Sequence, residues 1–286
     1  MNSATGACGC PSRSFTPQSL FDNLSGIAER LGAGQRIFVF LDFDGTLAPI
    51  VDRPEDAEMP SETRARILDL LTQPRFRIAI ISGRALSDLK QRVGIEGLIY
   101  AGNHGFEIEG PDIRFAEPRA VERVRSLENI VNSLEARLRE IPGTLRENKG
   151  LTASVHYRKA RPADFEEVRR IVQKSVASAG NLFRVAQGLQ VLEIRPNVNW
   201  NKGTAARWIL EASGNRDALP VYLGDDTTDE DAFSALPAGI TIRVGRAAQT
   251  AAQFELEYQE DVSEFLQWLA EFDDGLTDRP HARSPK

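Results

Sequence analysis

The chain of 286 residues is long enough for about two domains, and its 41% of hydrophobic residues suffice for a packed core. Its 35 lysines and arginines against 41 aspartates and glutamates give a formal charge of −6, and no basic run interleaved with aromatic residues occurs, so a nucleic-acid binder is excluded. The sequence shows no secretory leader and no apolar stretch of about 18 residues, which predicts a cytoplasmic protein without membrane contact.

The two cysteines, Cys8 and Cys10, lie in a polar N-terminal segment. A Cys-x-Cys pair can bind a metal or take part in redox chemistry, but in a short polar tail it is more often free. We therefore predict a structureless tail over residues 1–16, no disulfide framework and a reducing compartment.

The first half of the chain alternates helical and strand-like segments. Leu20, Leu24, Ile27 and Leu31 recur at helical spacing, and Gly32 supplies a stop signal. Further on, a helical pattern covers residues 61–71, and short apolar runs predict strands at 37–41, 78–81 and 98–100.

The middle of the chain breaks this alternation. Helical periodicity covers residues 121–141 and 165–176, whereas residues 151–157 and 182–194 alternate like strands with one face in water. These patterns predict an α+β module inserted into a core domain. The predicted boundaries are 112–194 for the module and 17–111 with 195–286 for the core.

The last third returns to apolar runs, at residues 221–223 and 240–244. Short buried strands alternating with helices are typical of a parallel sheet covered on both faces, so the predicted class is α/β. Ligands of such sheets bind beyond the carboxyl ends of the strands. Polar clusters follow the predicted strands at that edge: DFDGT, SGR, GNHG and GDDTTDED.

Two acidic clusters each stand behind a predicted strand. Asp42 and Asp44 form the first, and Asp225, Asp226 and Asp229 form the second. Neighbouring buried carboxylates repel each other and lose hydration, so a positive group has to be near them. One Asp-x-Asp is more often a turn or a helix cap, but two such clusters at one sheet edge favour a metal. Because Mg²⁺ prefers hard oxygen ligands, we predict that these five residues form a magnesium site.

Three further residues indicate a phosphate site. Gly45 lets the chain turn so that main-chain amides can face an anion, and Ser82 precedes a predicted helix whose N-terminus can bind phosphate. Lys202 begins another predicted helix and offers a compact positive charge. Together with a metal, these groups describe a phosphoryl-transfer pocket in which one aspartate is free to act as nucleophile.

Four segments, in chain order, resemble the motifs of the haloacid dehalogenase superfamily of phosphohydrolases: DFDGTLAPI, ISGR, the lysine of NKG and GDDTTDEDAF. More narrowly, AGNHGFEIEG, RENKGLTASVHYR and LEIRPNVNWNKG are similar to the trehalose-6-phosphate phosphatase family. The resemblance covers roughly residues 35–270 and includes the inserted module. It implies a Rossmann-like core with a parallel sheet, an inserted α+β cap that gives substrate specificity, bound Mg²⁺, and hydrolysis of trehalose 6-phosphate to trehalose and phosphate.

The resemblance also implies residue roles. Asp42 would be the nucleophile that becomes an aspartyl phosphate, and Asp44 would protonate the leaving sugar oxygen and then activate water. Ser82 and Lys202 would hold the phosphoryl oxygens. Asp225 would bind Mg²⁺ together with Asp42 and the main-chain carbonyl of Asp44. The remaining acidic residues are implied as supports of the metal site: Asp226 and Asp229.

Sugar hydroxyls require hydrogen-bonding partners, and the resemblance places these in the cap and at the wall between cap and core. Taken alone, such polar residues are more often solvated surface groups. The substrate-binding residues that the resemblance implies are Arg84, Asn103, His104, Glu147, Lys149, His156, Arg158 and Glu193.

Other functions share part of this pattern. A phosphorylated receiver domain also uses an acidic pair, a hydroxyl and a lysine, but it has no need of the inserted module. A catalytically silent sugar-binding regulator would not need both Asp42 and Asp44. A phosphatase for another sugar phosphate, such as sucrose phosphate or a mannosyl phosphoglycerate, remains open. No glycosyltransferase segment is recognised, so we expect a separate trehalose-6-phosphate synthase as pathway partner.

Overall fold

A computed structural model describes residues 16–32, 35–188 and 190–272. The predicted tail with Cys8 and Cys10 lies outside these residues, apart from Thr16. None of the helices within the described ranges is long and apolar enough to cross a membrane.

A nine-stranded sheet is the larger of the two sheets in the described residues. The first seven strands, counted across the sheet from one edge, all pair parallel with their neighbours, and the last two strands pair antiparallel at the other edge. The predicted α/β class with a mainly parallel sheet is therefore confirmed. The strands lie in the order β1 (Gln18–Ser19), β13 (Phe254–Leu256), β12 (Ile240–Val244), β11 (Leu219–Gly224), β2 (Ile37–Leu41), β3 (Phe76–Ile81), β4 (Ile99–Gly102), β5 (Glu107–Glu109) and β6 (Arg114–Ala116).

Helices cover both faces of this sheet, so its central strands are apolar throughout. In β2, Ile37, Val39 and Leu41 pack on one face and Phe38 and Phe40 on the other, because successive side chains of a strand point in opposite directions. The first face is covered by α1 (Leu24–Leu31), α2 (Ser61–Leu71), α3 (Leu86–Val93) and α9 (Asp261–Glu271), and the second by α7 (Lys202–Ala212) and α8 (Glu230–Ala235).

A smaller antiparallel sheet has its own hydrophobic core. One of its faces packs on two helices through residues such as Val155, Leu192 and Leu134. The opposite face carries polar side chains, including Glu147 and Glu193, that line a cleft toward the larger sheet. Its strands lie in the order β7 (Leu145–Asn148), β8 (Ala153–His156), β10 (Val191–Pro196) and β9 (Phe183–Gly188), and its helices are α5 (Val124–Leu138) and α6 (Phe165–Ala177).

Two predicted helices differ from those observed. The helix predicted over 121–141 is preceded by a separate short helix, α4 (Pro118–Val121), whose start is capped by the Glu117 carboxylate. The long helix itself, α5, ends at Leu138, shortly before Pro142, which disfavours helical backbone in the residue that precedes it. The first helix begins at Leu24 rather than Leu20.

The N–H of Leu20 donates to the carbonyl of Glu255 at 2.9 Å and so continues the pairing of β1. The short edge strands β5 and β6 are also new relative to the prediction. β6 belongs to the larger sheet although it lies past residue 111, and β10 runs through Pro196. The division into core and cap domains stays a prediction.

Candidate active site

Asp42 lies at the carboxyl edge of the larger sheet, one residue beyond β2. Its N–H donates to the carbonyl of Leu223 at 3.0 Å, so the parallel pairing with β11 continues through this residue. The N–H of Phe43 donates to Asp42 Oδ1 at 2.8 Å, and Asp42 is 4% exposed. The main chain thus fixes one carboxylate oxygen, while the other faces Lys202.

Lys202 supplies a positive charge at this edge. It is the first residue of α7, whose start is fixed by a capping box between Asn201 and Thr204. Lys202 Nζ lies 3.0 Å from Asp42 Oδ2 and 2.8 Å from Asp229 Oδ1. Because the lysine side chain is buried, one ammonium group is shared by two buried carboxylates.

Asp229 is fully buried, and both of its carboxylate oxygens have partners. Oδ1 also accepts a hydrogen bond from the Tyr222 hydroxyl at 2.8 Å, and Oδ2 accepts one from the N–H of Asp226 at 3.0 Å. A role for Tyr222 is not predictable from the sequence, because a tyrosine within an apolar run has no separate signal. Asp229 therefore holds Lys202 in place.

The charges of this cluster shift the pKa of its members. Burial raises the pKa of Asp42 well above its ordinary value, the charge of Asp229 adds to this rise, and Lys202 opposes it. Burial and the charge of Asp229 raise the pKa of Asp225 to about 7. Burial would lower the pKa of Lys202, but the charges of Asp229 and Asp42 outweigh it and raise that pKa. The raised pKa values mean that one ammonium group is not enough to keep all three carboxyl groups ionised, and a further positive charge at this place would favour their ionised forms.

The donor set fits a divalent cation. Among the described residues, Asp42, Asp225 and Asp229 each offer a carboxylate oxygen within 4.8 Å of the others. Asp225 Oδ1 is buried and has no hydrogen-bond partner in this part of the chain. Gly45 permits the close approach, because its φ is +83° and a Cβ there would lie 2.1 Å from Asp225 Oδ2. Carboxylate oxygens are ligands that hard divalent cations prefer.

Two of the predicted metal residues are engaged elsewhere through their side chains. Asp226 is exposed, and its Oδ1 accepts hydrogen bonds from the N–H and the hydroxyl of Thr227. Both oxygens of Asp44 accept hydrogen bonds from Arg84, one from Nε at 2.8 Å and one from Nη2 at 2.6 Å. The three-carboxylate cluster is therefore formed without the side chains of Asp44 and Asp226.

Arg84, predicted to bind substrate, is held by several groups of the core. Its guanidinium donates to Asp88 at 2.8 Å and to the carbonyl of Pro54 at 2.8 Å, and it lies 5.2 Å from the centroid of the Phe43 ring. The arginine side chain is buried, whereas that of Asp44 is 43% exposed. Arg84 therefore fixes the Asp44 carboxylate at the cleft wall.

Ser82 follows β3 directly and is buried. Its Oγ accepts a hydrogen bond from the N–H of Arg84 at 3.2 Å, and its carbonyl accepts one from the N–H of His104 at 2.8 Å. The hydroxyl hydrogen has no acceptor among the described residues. It is therefore available to an oxygen atom in the cleft.

Glu147 is the first of two cap glutamates at the cleft. Its Oε2 lies 3.2 Å from His156 Nε2 and 3.7 Å from Lys149 Nζ. Lys149 Nζ also donates to the carbonyl of Gly83 in the core at 3.0 Å. Burial would raise the pKa of Glu147, but the hydrogen bond with His156 and the charge of Lys149 lower it. Glu147 is thus a hydrogen-bond acceptor at neutral pH.

Glu193 is the second cap glutamate at the cleft. Its carboxylate lies 3.3 Å from His104 Nε2 and also forms an ion pair with Arg195. Burial lowers the pKa of His104 to about 4, so the neutral ring donates through Nε2. His104 Nδ1 is buried without a partner in the described chain. Burial would raise the pKa of Glu193, but His104 and Arg195 lower it well below its ordinary value. Glu193 is therefore a second acceptor.

Asn103 lies behind the cleft wall. Its side-chain nitrogen donates to Glu107 at 2.7 Å and to the carbonyl of Lys149 at 3.0 Å, and its oxygen accepts the Thr152 hydroxyl at 2.5 Å. Its φ of +51° is a left-handed conformation that asparagine adopts more readily than most residues. The structure thus places Asn103 where it joins core to cap and fixes the main chain of Lys149.

A cleft of about 290 Å³ lies between the catalytic edge and the polar face of the cap sheet. At its mouth, Arg158 Nη1 lies 3.2 Å from the carbonyl of Val51 and 3.4 Å from Asp52. Unpredicted lining residues include Ile50, the last residue of the DFDGTLAPI motif, and Gln190, which lies outside the quoted motifs. The predicted residues that line the cleft are Asp42, Asp44, Ser82, Arg84, His104, Glu147, Lys149, His156, Arg158, Glu193, Lys202, Asp225 and Asp226.

Comparison with known protein families identifies the family to which this cleft belongs. The sequence profile of the trehalose-phosphatase family matches residues 40–262, which include most of the predicted core and the whole inserted module. The chain belongs to the trehalose-phosphatase family. The family resemblance of the motifs is thereby confirmed.

Relatives within the trehalose-phosphatase family are similar over most of this chain. The trehalose-phosphate phosphatase of Mycobacterium marinum is 40% identical over 241 residues, which cover 81% of this chain and 61% of that protein, so the chain spans about three fifths of its length. Trehalose-phosphate phosphatase B of Arabidopsis thaliana is 35% identical over 270 residues, covering 89% of this chain and 70% of that one.

The fold is also that of a solved structure in this family. The C-terminal domain of C. albicans trehalose-6-phosphate phosphatase superposes with a TM-score of 0.76 at 24% identity and covers 91% of this chain and 99% of that one.

Removing the shared ammonium group should destabilise the fold. In Lys202→Met, Asp42 and Asp229 would stay buried without their cation, and breaking a buried ion pair in this way costs about 3–5 kcal/mol. The free energy of unfolding is measured by urea titration in EDTA, so that no divalent cation compensates. Lys90→Met is the matched control, because Lys90 and Glu109 form a half-exposed pair of a kind that contributes about 0–1 kcal/mol. Equal stabilities of the two variants would contradict this role of Lys202.

Proposed function

We propose that this chain hydrolyses trehalose 6-phosphate to trehalose and inorganic phosphate through an aspartyl-phosphate intermediate. The observation that carries the proposal is a single cleft with two unlike walls. Buried Asp42 and Lys202 lie on the core side, and the acceptors Glu147 and Glu193 lie on the cap side. The mycobacterial and plant relatives are named trehalose-phosphate phosphatases, which supports the same substrate. The proposed division assigns catalysis to a core of residues 17–111 and 195–286 and sugar specificity to a cap of residues 112–194.

The proposal includes a divalent cation, Mg²⁺, held by Asp42 and Asp225, with the main-chain carbonyl of Asp44 as a further ligand. The unpartnered Asp225 Oδ1 and the clustering of three carboxyl groups support this assignment. When bound, such an ion neutralises phosphoryl charge and helps to orient the substrate. Asp229 and Asp226 support the site through the hydrogen bond between them.

In the first step, the Asp42 carboxylate attacks phosphorus, and the bond from phosphorus to the sugar O6 breaks as the new bond forms. Asp44 gives a proton to the departing O6. The Ser82 hydroxyl and the Lys202 ammonium group hold the phosphoryl oxygens, and both are in place before substrate binds. Arg84, which holds both oxygens of Asp44, has to release one of them for that carboxyl group to carry a proton.

In the second step, Asp44 takes a proton from a water molecule, whose oxygen attacks the phosphorus of the aspartyl phosphate. The bond between phosphorus and the Asp42 oxygen breaks, which releases inorganic phosphate and restores the carboxylate. One residue therefore acts first as acid and then as base. The cap limits the access of other water to the reacting centre.

A phosphorylated disaccharide has to be made before it can be hydrolysed. We retain the prediction that a separate synthase chain makes it and that the reaction takes place in the cytoplasm.

The function is tested by phosphate release across a panel of sugar phosphates. With Mg²⁺, trehalose 6-phosphate should be hydrolysed faster than glucose 6-phosphate, sucrose 6-phosphate or a mannosyl phosphoglycerate, EDTA should abolish release, and added Mg²⁺ should restore it. Asp42→Asn should be inactive with an unchanged circular dichroism spectrum, whereas Asp217→Asn, at an exposed aspartate, should keep full activity. Faster turnover of another panel member would refute the substrate, and an active Asp42→Asn would refute the nucleophile.

The role of Asp44 is tested by the leaving group. Asp44→Asn should slow transfer from trehalose 6-phosphate by on the order of 100-fold or more, and transfer from p-nitrophenyl phosphate much less, because nitrophenolate leaves without protonation. Single-turnover kinetics separate this step from product release. Asp217→Asn, at an exposed aspartate that is not among the cleft residues, is again the control. Equal losses on both substrates count against proton transfer by Asp44.

The cap residues should determine recognition of the sugar. Glu147→Ala and Lys149→Ala should each lower kcat/KM for trehalose 6-phosphate by on the order of 100-fold, or about 2.7 kcal/mol. The reason is that the removed side chain leaves polar groups of the bound sugar and of the cleft without a hydrogen-bond partner. Activity on p-nitrophenyl phosphate should change little. Glu135→Ala, at an exposed glutamate of the cap, is the control. If neither substrate or both substrates are affected alike, these residues do not select the sugar.

A further inference from the structure

One cap residue at the cleft has no role in the reaction described above. Ser154 on β8 is paired in register with Glu147 on β7 and with Glu193 on β10. Residues directly opposite each other on neighbouring strands point to the same face of a sheet. The three side chains therefore form one row across the cap, and Ser154 is its centre.

Ser154 is buried at 2% exposure, yet it lines the cleft. Both of its neighbours in the row have partners, since His156 contacts Glu147 and His104 contacts Glu193. The hydroxyl of Ser154 has no hydrogen-bond partner among the described residues. A buried polar group is usually paired, so a group that faces a cleft without a partner points to one supplied by a ligand.

The chemistry of the row is complementary to a sugar. The two carboxylates only accept hydrogen bonds, whereas a serine hydroxyl both donates and accepts. The row spans two strand spacings, about 9.5 Å, so it can meet hydroxyl groups along a disaccharide and not at one point alone. Because serine is much shorter than glutamate, a sugar ring can lie over Ser154 while its outer hydroxyls reach Glu147 and Glu193.

We propose that Ser154 contacts a hydroxyl group of the bound sugar and is a specificity-determining residue of the cap. The inference rests on the proposed function, since it takes the sugar phosphate to be the substrate. It extends that function by assigning the centre of the cap row, between the two glutamates, to direct contact with the sugar. The phosphoryl group is handled at the opposite wall of the cleft, so the contribution of Ser154 is confined to the sugar.

Ser154→Ala removes the hydroxyl and adds no bulk. It should lower kcat/KM for trehalose 6-phosphate about tenfold, mainly through KM, as the loss of one hydrogen bond of about 1.4 kcal/mol would. Ser154→Val, which fills the space between the glutamates, should lower it further. Neither variant should change kcat/KM for p-nitrophenyl phosphate by more than about twofold, since this substrate does not reach the row.

Ser175→Ala is the matched control, because Ser175 is a buried cap serine on α6 that is not among the cleft residues and has an unpartnered hydroxyl among the described residues. It should leave both substrates unaffected. An unchanged Ser154→Ala, equal losses on both substrates, or the same loss in Ser175→Ala would each overturn the inference. If the wild type hydrolyses p-nitrophenyl phosphate but not trehalose 6-phosphate, the proposed function fails and this inference with it. If the wild type hydrolyses both and Ser154→Ala is normal, the inference alone fails.

Discussion

One buried ammonium group, that of Lys202, balances the carboxylates of Asp42 and Asp229, and the catalytic edge depends on this balance. Each partner is fixed independently: Asp42 by main-chain pairing with β11, Asp229 by Tyr222, and Lys202 by the capped start of α7. A lysine held by two buried carboxylates cannot turn its ammonium group toward solvent. These contacts preorganise the charged groups of the edge, and they leave Asp225 with one buried oxygen that has no hydrogen-bond partner among the described residues.

The cap meets this edge with a different kind of surface. Its sheet packs an apolar face on two helices and turns a polar face to the core, so the alternation of a strand serves folding on one side and recognition on the other. Contacts from Lys149 to Gly83 and from His104 to Glu193 tie the two walls together. The wall at the larger sheet carries the charged cluster around Lys202, whereas the wall at the smaller sheet carries hydrogen-bond acceptors and donors. Under the proposed function, selectivity would follow because a ligand that lacks the right hydroxyls leaves buried groups unsatisfied.

Much of this arrangement could be predicted from short patterns. β2, β12 and α2 have the predicted bounds, because a continuous apolar run and a clear helical period leave little ambiguity. The aspartates behind the strands could be placed at one edge because parallel strands end together. Asn103 shows where this reasoning stops. Its polar side chain in a family-like segment suggested a sugar contact, but that side chain is engaged by Glu107, Thr152 and the carbonyl of Lys149, and such tertiary partners have no mark in the sequence. The role of Tyr222 and the short strands β5 and β6 also could not be predicted, because their partners are set by tertiary packing.

The neighbours of β2 have a consequence for synthesis of the chain. On one side β2 pairs with β3, the next strand to be made, but on the other side it pairs with β11, where Val39 meets Val221 only after the whole inserted module has left the ribosome. Until then β2 has an open apolar edge, which is the kind of surface on which nascent chains pair wrongly. The smaller sheet and its two helices share a hydrophobic cluster of their own, which runs from Leu127 to Ile194 and is made before Leu223. Asp42 also needs the carbonyl of Leu223, which is made after all four strands of the smaller sheet. A chain that stops before Leu223 therefore lacks the main-chain hydrogen bond that places Asp42 at the sheet edge.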